Sequence, residues 1–213
     1  MGIYELSIKR PFTNFKRLIA GFLWNILPIV NFVALGYALR CGKLSMKNNF
    51  EMPAWNKKGE LFTNGLLAFL ISIIYMLPFI IVMFLGFMPV FRNVDFTRLQ
   101  EQTYLLDLMK QVVIYNLVLV ILVSILFLLA IYIMPSAIMN FITKNNFNAA
   151  FEFLTVFRKA FTSKYFVTAL LMSIYGFALY FLLGFIPLVG RILATFLIYV
   201  TSYSAYGAIY NKL

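Results

Sequence analysis

The chain has 213 residues, of which 63% are hydrophobic and 12% are charged, and its formal net charge is +11. A soluble domain carries roughly 25% charged residues, so this composition excludes an ordinary soluble protein and indicates a membrane protein. The basic residues lie in short segments beside apolar runs, so we expect anionic lipid head groups as their partner and no nucleic acid. One cysteine excludes an internal disulfide, and with no histidine we expect no metal and no cofactor.

Five stretches of the sequence contain no Asp, Glu, Lys or Arg. They lie between Arg17 and Arg40, Glu60 and Arg92, Lys110 and Lys144, Lys164 and Arg191, and Arg191 and Lys212. Each holds about 20 residues or more, which is the helical length that crosses a hydrocarbon core about 30 Å thick. The sequence therefore predicts an all-α, polytopic helical membrane protein that forms a single membrane domain over residues 1–213.

The first of these runs has basic segments at both ends. The segment 1–17, whose composition suits the membrane surface, contains Lys9, Arg10, Lys16 and Arg17. Positive charge marks cytoplasmic loops, so a single crossing would place one flank on the wrong side. We therefore predict an N-terminal re-entrant or short helical hairpin with Pro28 at its tip, where the amides of Asn25 and Asn31 can satisfy free backbone groups. One kinked span with an external N-terminus is the alternative.

A second hairpin is predicted because the first turn is repeated. Residues 27–31, LPIVN, are echoed by residues 186–190, IPLVG, and a Phe-Thr pair precedes both. From that pair to the proline there are 28 − 12 = 16 residues in the first copy and 187 − 161 = 26 in the second. The N-terminal arm is thus shorter by about 15 Å of helix, so we expect it to reach roughly half way through the bilayer. In this degenerate hairpin repeat, Gly190 is expected to adopt a left-handed conformation after Pro187, and Asn31 takes its place after Pro28.

The other four runs are predicted to be full spans. The second run is too long for one upright span, so we expect it to tilt, to extend beyond the core or to break, with Pro78 and Pro89 as the places of a break. Pro135 divides the third run into an apolar part and the segment 136–143, which we expect to continue into the interface. The polar residues with depth are Asn116, Ser124 and Asn140. We expect them to form hydrogen bonds between helices, because a ligand site is the less common use of such residues.

Two further patterns concern helix faces. Apolar residues at positions 147, 151, 154, 157 and 161 recur at helical spacing, so the segment 144–164 is predicted to hold an interfacial helix, with partner binding as the sharper alternative. The last run carries a stripe of tyrosines, Tyr199, Tyr203, Tyr206 and Tyr210, and a stripe of small residues, Ser202, Ala205 and Ala208. We expect the tyrosines to pack, with Tyr210 as an interfacial anchor, and the lining of a polar path is the alternative. The small residues are expected to let helices approach closely.

The loop charges predict the orientation. The segment 92–110 balances three basic with three acidic residues, so it is the natural external loop, whereas the basic segments 40–60 and 144–164 belong to the cytoplasm. We expect a multi-pass protein of the plasma membrane with both termini cytoplasmic. Its parts are 1–60 (hairpin and loop), 61–143 (two long spans), 144–164 (interfacial helix) and 165–213 (C-terminal span hairpin).

Three short motifs carry a resemblance to a known family. They are LPIVNFVALGYALR at 27–40, with Pro28, Asn31, Gly36 and Tyr37; Pro53 and Trp55 in the next loop; and ELFTNG at 60–65, ending at Gly65. Over nearly the whole chain this resembles a group of prokaryotic integral membrane proteins, domain-of-unknown-function family 4013. The resemblance implies a multi-helix membrane domain with no assigned activity and no catalytic residues. That family tends to have acids after the tryptophan, whereas this chain has Asn56, Lys57 and Lys58, which argues against a cation site there.

The function class follows from the chemistry that the runs can carry. All seven carboxylates lie in loops or at flanks, so we expect neither an enzyme nor an ion-coupled pump. The sequence favours a non-catalytic subunit, stabiliser or envelope factor that acts through lipids, a second copy or another membrane protein. A passive channel or uncoupled solute transporter is the alternative, because proline breaks at matching positions of two halves point to transporter sites. A membrane enzyme that uses Tyr, Ser or Thr is the second alternative.

Overall fold

The computed structural model of the chain describes residues 2–92, 94–113 and 116–212, without the side chains at 89–91, 96 and 111–113. The chain is 82% helical, and no strand occurs among the described residues. The helices are α1 (Ile3–Lys9), α2 (Phe15–Ile26), α3 (Asn31–Ser45), α4 (Lys58–Arg92), α5 (Gln102–Val113), α6 (Leu117–Lys144), α7 (Phe153–Ala160), α8 (Ser163–Leu183) and α9 (Val189–Tyr210). Short 3₁₀ helices cover Arg10–Thr13, Phe96–Arg98 and Phe147–Phe151. The predicted all-α fold is confirmed.

Four helices, α4, α6, α8 and α9, are long and apolar enough to cross a membrane. The more apolar of these four helices are the less buried ones. The most apolar stretches of α4 and α6 are each only 11% buried, whereas that of α9, the least apolar of the four, is 61% buried. Apolar surface on this scale is not left exposed to water, so lipid is the medium that these helices require. The chain is therefore a multi-pass membrane protein with four helices of spanning length, as the sequence predicts.

The chain divides into two compact units. The bundle unit comprises Met1–Ser72 and Ile133–Leu213, and the middle unit is Ile73–Tyr132. Within the middle unit the rings of Phe79 and Phe127 lie 5.0 Å apart. The Leu119 side chain there lies against Gly86, 2.5 Å from where a Cβ would stand. The parts of α4 and α6 in the middle unit therefore pack directly against each other.

The bundle unit is built from two helical hairpins, α2–α3 and α8–α9. Near their turns, the side-chain amide of Asn25 donates to the Ile192 carbonyl (2.9 Å), and the ring of Phe196 lies over Gly21. Far from the turns, the guanidinium of Arg10 donates to the Ser204 hydroxyl (3.1 Å). Both turns therefore lie at one end of the unit, the tip end, and the opposite end is the base end.

The first run is a helical hairpin and not one kinked helix. Arg17 on α2 donates to the Met52 carbonyl, and Tyr37 on α3 donates from its hydroxyl to the Pro53 carbonyl (2.7 Å). Both arms thus return to the same loop. Since Asn25 is bonded to Ile192, the two tips lie at one level, and the length that α2 lacks relative to α8 is missing at the base end.

Prolines interrupt the long helices less than predicted. α4 is continuous from Lys58 to Arg92, so the expected breaks at Pro78 and Pro89 are wrong. Pro135 also lies inside α6, which continues to Lys144. Packing and local backbone adjustment satisfy the groups that proline frees in a membrane helix, which explains this tolerance. The segment 147–161, by contrast, is not one helix, because Glu152 separates the 3₁₀ helix Phe147–Phe151 from α7.

Candidate functional site

The loop motif and α3 form one contact cluster, the motif cluster, made of Tyr37, Pro53, Trp55, Arg17 and Phe196. The rings of Tyr37 and Trp55 stack with centroids 3.8 Å apart and planes 9° from parallel. The indole N–H donates to the Arg17 carbonyl (3.1 Å), and the Phe196 ring lies 6.2 Å from each aromatic partner. Tyr37 is fully buried. The cluster holds the loop after α3 against the first hairpin and against α9.

The motif glycines Gly36 and Gly65 lie where α3 crosses α4. A Cβ at Gly36 would stand 1.8 Å from the Leu61 carbonyl oxygen, and one at Gly65 would stand 1.9 Å from that of Phe32. Any side chain at either position would push the two backbones apart. These glycines are therefore required for space, as in other membrane helix pairs that meet through small residues.

A second close approach joins α3 to α9. A Cβ at Gly207 would lie 2.1 Å from the Gly42 carbonyl oxygen, and one at Gly42 would lie 2.8 Å from that of Tyr203. Ala205 and Ala208 are buried, as the small-residue stripe predicts, but Gly207 makes the contact. Neither glycine was predicted from the sequence, although Gly207 stands between Ala205 and Ala208 of the small-residue stripe.

The two proline turns have the same backbone conformation. The residue after each proline has a positive φ, 71° at Ile29 and 59° at Leu188. The next N–H donates to the proline carbonyl, at 2.8 Å after Pro28 and at 2.6 Å after Pro187. This is a γ-turn with positive φ, a rare and strained form, and a β-branched residue there is a genuine outlier. The repeat seen in the sequence thus extends to the backbone of its turns.

The left-handed residues were predicted two positions too late. Neither Gly190 nor Asn31 has a positive φ, because the residue after the proline already reverses the chain. Gly190 is required for space, since a Cβ there would lie 1.8 Å from the Leu183 carbonyl oxygen. Asn31 begins α3, and its side-chain oxygen is buried without a hydrogen-bond partner among the described residues.

Arg10 is fully buried at the base end, although the sequence places it at the membrane surface. One terminal nitrogen donates to the Cys41 carbonyl (2.7 Å) and to the hydroxyls of Ser45 (2.6 Å) and Ser204 (3.1 Å), and the other donates to the Glu51 carbonyl (2.8 Å). No carboxylate in the described chain pairs with it. Burial lowers the pKa of the guanidinium, and neutral oxygens hold its charge. Arg10 thereby ties the N-terminal segment to α3, α9 and the loop between α3 and α4.

A polar group around Asn140 closes the base end. The Asn140 amide donates to the Ala149 carbonyl (2.7 Å) and accepts from the Tyr210 hydroxyl (3.0 Å). The Lys159 ammonium lies 3.6 Å from the centre of the Tyr210 ring. Burial lowers the pKa of Lys159. The predicted bonding between helices is confirmed for Asn140, whereas Ser124 donates within its own helix. Tyr210 is buried, so its predicted role as an interfacial anchor is wrong.

Most carboxylates in the described part of the chain form ion pairs with basic neighbours. Within the described residues, no three of Asp, Glu, Cys and His come together as metal ligands. Five carboxylates pair with a basic neighbour: Glu5 with Lys9, Glu60 with Lys57, Glu101 with Arg98, Asp107 with Lys110, and Glu152 with Lys144. Burial raises the pKa of the Cys41 thiol to about 11, so the thiol is protonated at neutral pH and is a poor nucleophile. These pairs join residues three to eight positions apart in the sequence, so they stabilise local segments of the chain.

The comparisons with known proteins give one result. The model of a family described as "Protein of unknown function (DUF4013)" matches residues 19–188. The matched range contains the first proline turn, Pro187 and Leu188 of the second turn, and most of the motif cluster, whereas Val189 and Gly190 lie beyond it. No significant match was found among curated proteins or among solved structures.

Proposed function

The chain belongs to the DUF4013 family of proteins of unknown function, and from that premise we propose that it is a non-catalytic integral membrane protein that acts through anionic lipids. The match confirms the resemblance carried by the three motifs. A second copy of the chain or another membrane protein is the competing kind of partner. The observation that carries the proposal is the surface around α7.

An aromatic face covers α7 and its ends. Its members are Phe153, Leu154, Phe157 and Phe161, all exposed, with Leu154 at 86%. The rings of Phe153 and Phe157 lie 6.5 Å apart, and those of Phe157 and Phe161 lie 6.1 Å apart and nearly parallel. The opposite side of α7 packs inward through Val156, whose carbonyl accepts from the Ser136 hydroxyl (3.1 Å). An exposed apolar face on a short helix at the end of a membrane bundle suits the boundary between head groups and acyl chains.

Basic side chains border this aromatic face. Arg158 and Lys164 are exposed, and Lys144 is paired with Glu152. Each exposed basic residue near an anionic membrane surface contributes about 1 kcal/mol of attraction. Apolar burial and attraction to head groups therefore act on the same segment, which supports lipid over a purely apolar protein partner.

The proposed topology places both termini and the segments 40–60 and 144–164 in the cytoplasm, with the segment 92–110 outside the plasma membrane. The α2–α3 hairpin enters from the cytoplasmic side and returns to it. α2 has 12 residues, which is about 18 Å of helix and too short for a hydrocarbon core about 30 Å thick. Reporter fusions after residue 2, at Met46, at Gln100 and after residue 212 should report the outside only at Gln100. An external reporter at either end or at Met46 would overturn the topology.

The lipid partner is tested by thermal unfolding in micelles doped with phosphatidylglycerol or with phosphatidylcholine. We expect phosphatidylglycerol to raise the Tm of the natural chain, and Arg158→Gln with Lys164→Gln to remove that rise. The matched control is Arg98→Gln with Lys110→Gln, which makes the same charge change in the segment 92–110. Equal rises with both lipids, or equal losses in both double variants, would contradict anionic lipid as the partner.

A further inference from the structure

The segment that joins α4 to α6 in the middle unit contains an amphipathic helix. α5 (Gln102–Val113) has 12 residues, which is about 18 Å of helix. At helical spacing, one face of it, which we call the apolar face, consists of Leu105, Leu106 and Met109. Its polar face consists of Thr103, Asp107 and Lys110. α5 therefore presents two chemically different faces.

The apolar face of α5 is open. All three of its side chains are exposed, Met109 at 64%. Apolar side chains grouped on a surface mark a site of interaction with a membrane or with another protein. A short helix with this pattern suits the plane of a membrane interface, where its apolar face lies at the boundary between head groups and acyl chains. A protein is the competing occupant.

The loop before α5 leaves this face free because it folds against Tyr104. The Tyr104 hydroxyl accepts from the Asp95 backbone N–H (2.5 Å), and the Arg98 guanidinium lies 4.9 Å from the centre of the Tyr104 ring. Tyr104 and Met109 are 109 − 104 = 5 residues apart, so they lie on different sides of the helix. The loop therefore covers the Tyr104 side of α5, and the apolar face stays open.

The charges of this segment do not favour anionic lipid. Residues 94–110 contain two basic and three acidic side chains, a net charge of 2 − 3 = −1. Both basic side chains are paired, Arg98 with Glu101 (2.8 Å) and Lys110 with Asp107 (3.6 Å). α7 differs, because exposed basic side chains border its aromatic face. Burial of apolar side chains is therefore the force that can hold α5 on a membrane.

Both ends of the segment adjoin helices of spanning length. α4 ends at Arg92, and α6 begins at Leu117, only 117 − 113 = 4 residues after α5 ends. Four residues of extended chain reach about 14 Å at most, so α5 stays close to the start of α6. That start faces lipid, because Leu117 and Val118 are exposed there, Val118 at 82%. The apolar face of α5 is therefore held within reach of the lipid that surrounds α6.

From these observations we propose that α5 lies on the bilayer surface with its apolar face among the acyl chains, and that it binds phospholipids whatever the charge of their head groups. The occupant of the face is thus the boundary of a phospholipid bilayer, zwitterionic lipid included. This surface is separate from the aromatic face of α7, whose proposed partner is anionic lipid. It also does not depend on which side of the membrane the segment 92–110 occupies. The two helices give the chain two membrane contacts with different lipid requirements.

Quenching of a fluorescent label by lipid tests the contact directly. A nitrobenzoxadiazole label is attached to Met109→Cys or, as the matched control, to Thr103→Cys on the polar face, in the full-length chain in nanodiscs. Nanodiscs leave both membrane surfaces accessible, and the natural Cys41 is fully buried, so it contributes little background. With phosphatidylcholine that carries a nitroxide high on its acyl chain, we expect severalfold stronger quenching at position 109 than at position 103. Similar quenching at the two positions would overturn the proposal.

The role of head-group charge is tested by repeating the measurement with phosphatidylglycerol in place of phosphatidylcholine. We expect the same quenching at position 109, and quenching in phosphatidylglycerol alone would contradict the charge independence. Crosslinking of Met109→Cys between copies that rises with the ratio of protein to lipid, without quenching by lipid, would assign the face to a second copy and would also overturn the proposal. Neither outcome bears on α7, whose test uses Arg158→Gln with Lys164→Gln.

Protease access gives a second readout that needs no label. Leu105→Gln with Met109→Gln removes two apolar side chains from the face and introduces residues of good helix propensity. In phosphatidylcholine nanodiscs we expect trypsin to cut after Lys110 severalfold faster in this variant than in the natural chain, because α5 is no longer held on the surface. The control, Thr103→Gln on the polar face, should be cut at the natural rate. Equal rates in all three proteins would overturn the proposal.

Discussion

The two helical hairpins of the bundle unit have the same type of turn but differ in the structure around it. Both reverse at a proline followed by a residue with positive φ, and both tips stand at one level. α8–α9 has two long arms, and α9 is the central helix of the unit. α2–α3 is short, and the loop with Trp55 and the buried Arg10 hold its arms. The turn is thus encoded locally, whereas the length and the anchoring of the arms depend on what they pack against.

The contact between α3 and α9 joins the two hairpins, and a substitution there should have the largest effect on the free energy of unfolding. Gly207→Ala would put a Cβ 2.1 Å from the Gly42 carbonyl oxygen, and backbone cannot move aside as a flexible side chain does. We expect a loss of about 4 kcal/mol in the free energy of unfolding, measured by thermal or denaturant unfolding in detergent. Gly59→Ala has nothing within 4 Å of the new Cβ and should be neutral or slightly stabilising. Similar values for the two variants would show that α3 and α9 do not meet through Gly207.

Removing Arg10, which anchors the short α2–α3 hairpin, should have the next largest effect on the free energy of unfolding. Arg10→Met removes the guanidinium bonds to the Cys41 and Glu51 carbonyls and to the Ser45 and Ser204 hydroxyls, so we expect a loss of about 3 kcal/mol in the free energy of unfolding. Lys9→Met removes only an exposed pair with Glu5 and should change stability by less than about 0.5 kcal/mol. Limited proteolysis of the N-terminal segment in both variants provides the second measurement. Equal protection in both would argue against the anchor.

The equivalent positions after the two turns should respond differently to substitution. A Cβ at position 190 would lie 1.8 Å from the Leu183 carbonyl oxygen, so Gly190→Val places a branched side chain against that atom. We expect it to lower the free energy of unfolding by about 2 to 3 kcal/mol. Asn31→Gly removes a buried oxygen that has no described partner, so its loss of helix propensity is largely offset and the change should be near zero. Thermal unfolding of both proteins decides this. A destabilised Asn31→Gly protein would mean that its side chain makes a contact that matters.

Relief of backbone strain in the turns should have the smallest effect. It should raise the free energy of unfolding, whereas the changes at Gly207, Arg10 and Gly190 should lower it. Ile29→Gly and Leu188→Gly let a residue that tolerates positive φ occupy the strained position, and the side chains they remove are 69% and 76% exposed. Each should stabilise the protein by about 1 kcal/mol, and the two effects should be similar because both turns have one geometry. Leu170→Gly, at an exposed position inside α8, should destabilise by about 1 kcal/mol. If all three variants lose stability, the γ-turns are not strained.

Much of the fold follows from the sequence because apolar length and loop charge are local signals. The helical class, four helices of spanning length and the hairpin repeat are present, and Tyr37, Pro53 and Trp55, chosen as motif residues, do meet. Arg10 was read as a surface residue because nothing nearby distinguishes it from Lys9 or Lys16. Its burial depends on acceptors up to 194 residues away. Gly42 was missed for the same reason, since only the position of α9 shows that a side chain there would not fit.

The contact between Arg10 and Ser204 also has a consequence for the order of events during synthesis. The hydroxyl is translated 194 residues after the guanidinium, which at about 5 to 20 residues per second is a delay of about 10 to 40 seconds. Through that interval the nascent N-terminal segment carries a positive charge that still lacks one of its eventual acceptors. The complete set of hydrogen bonds from Arg10 therefore forms only after α9 has been synthesised. In a chain that stalls before α9, this arginine lacks the Ser204 hydroxyl as an acceptor.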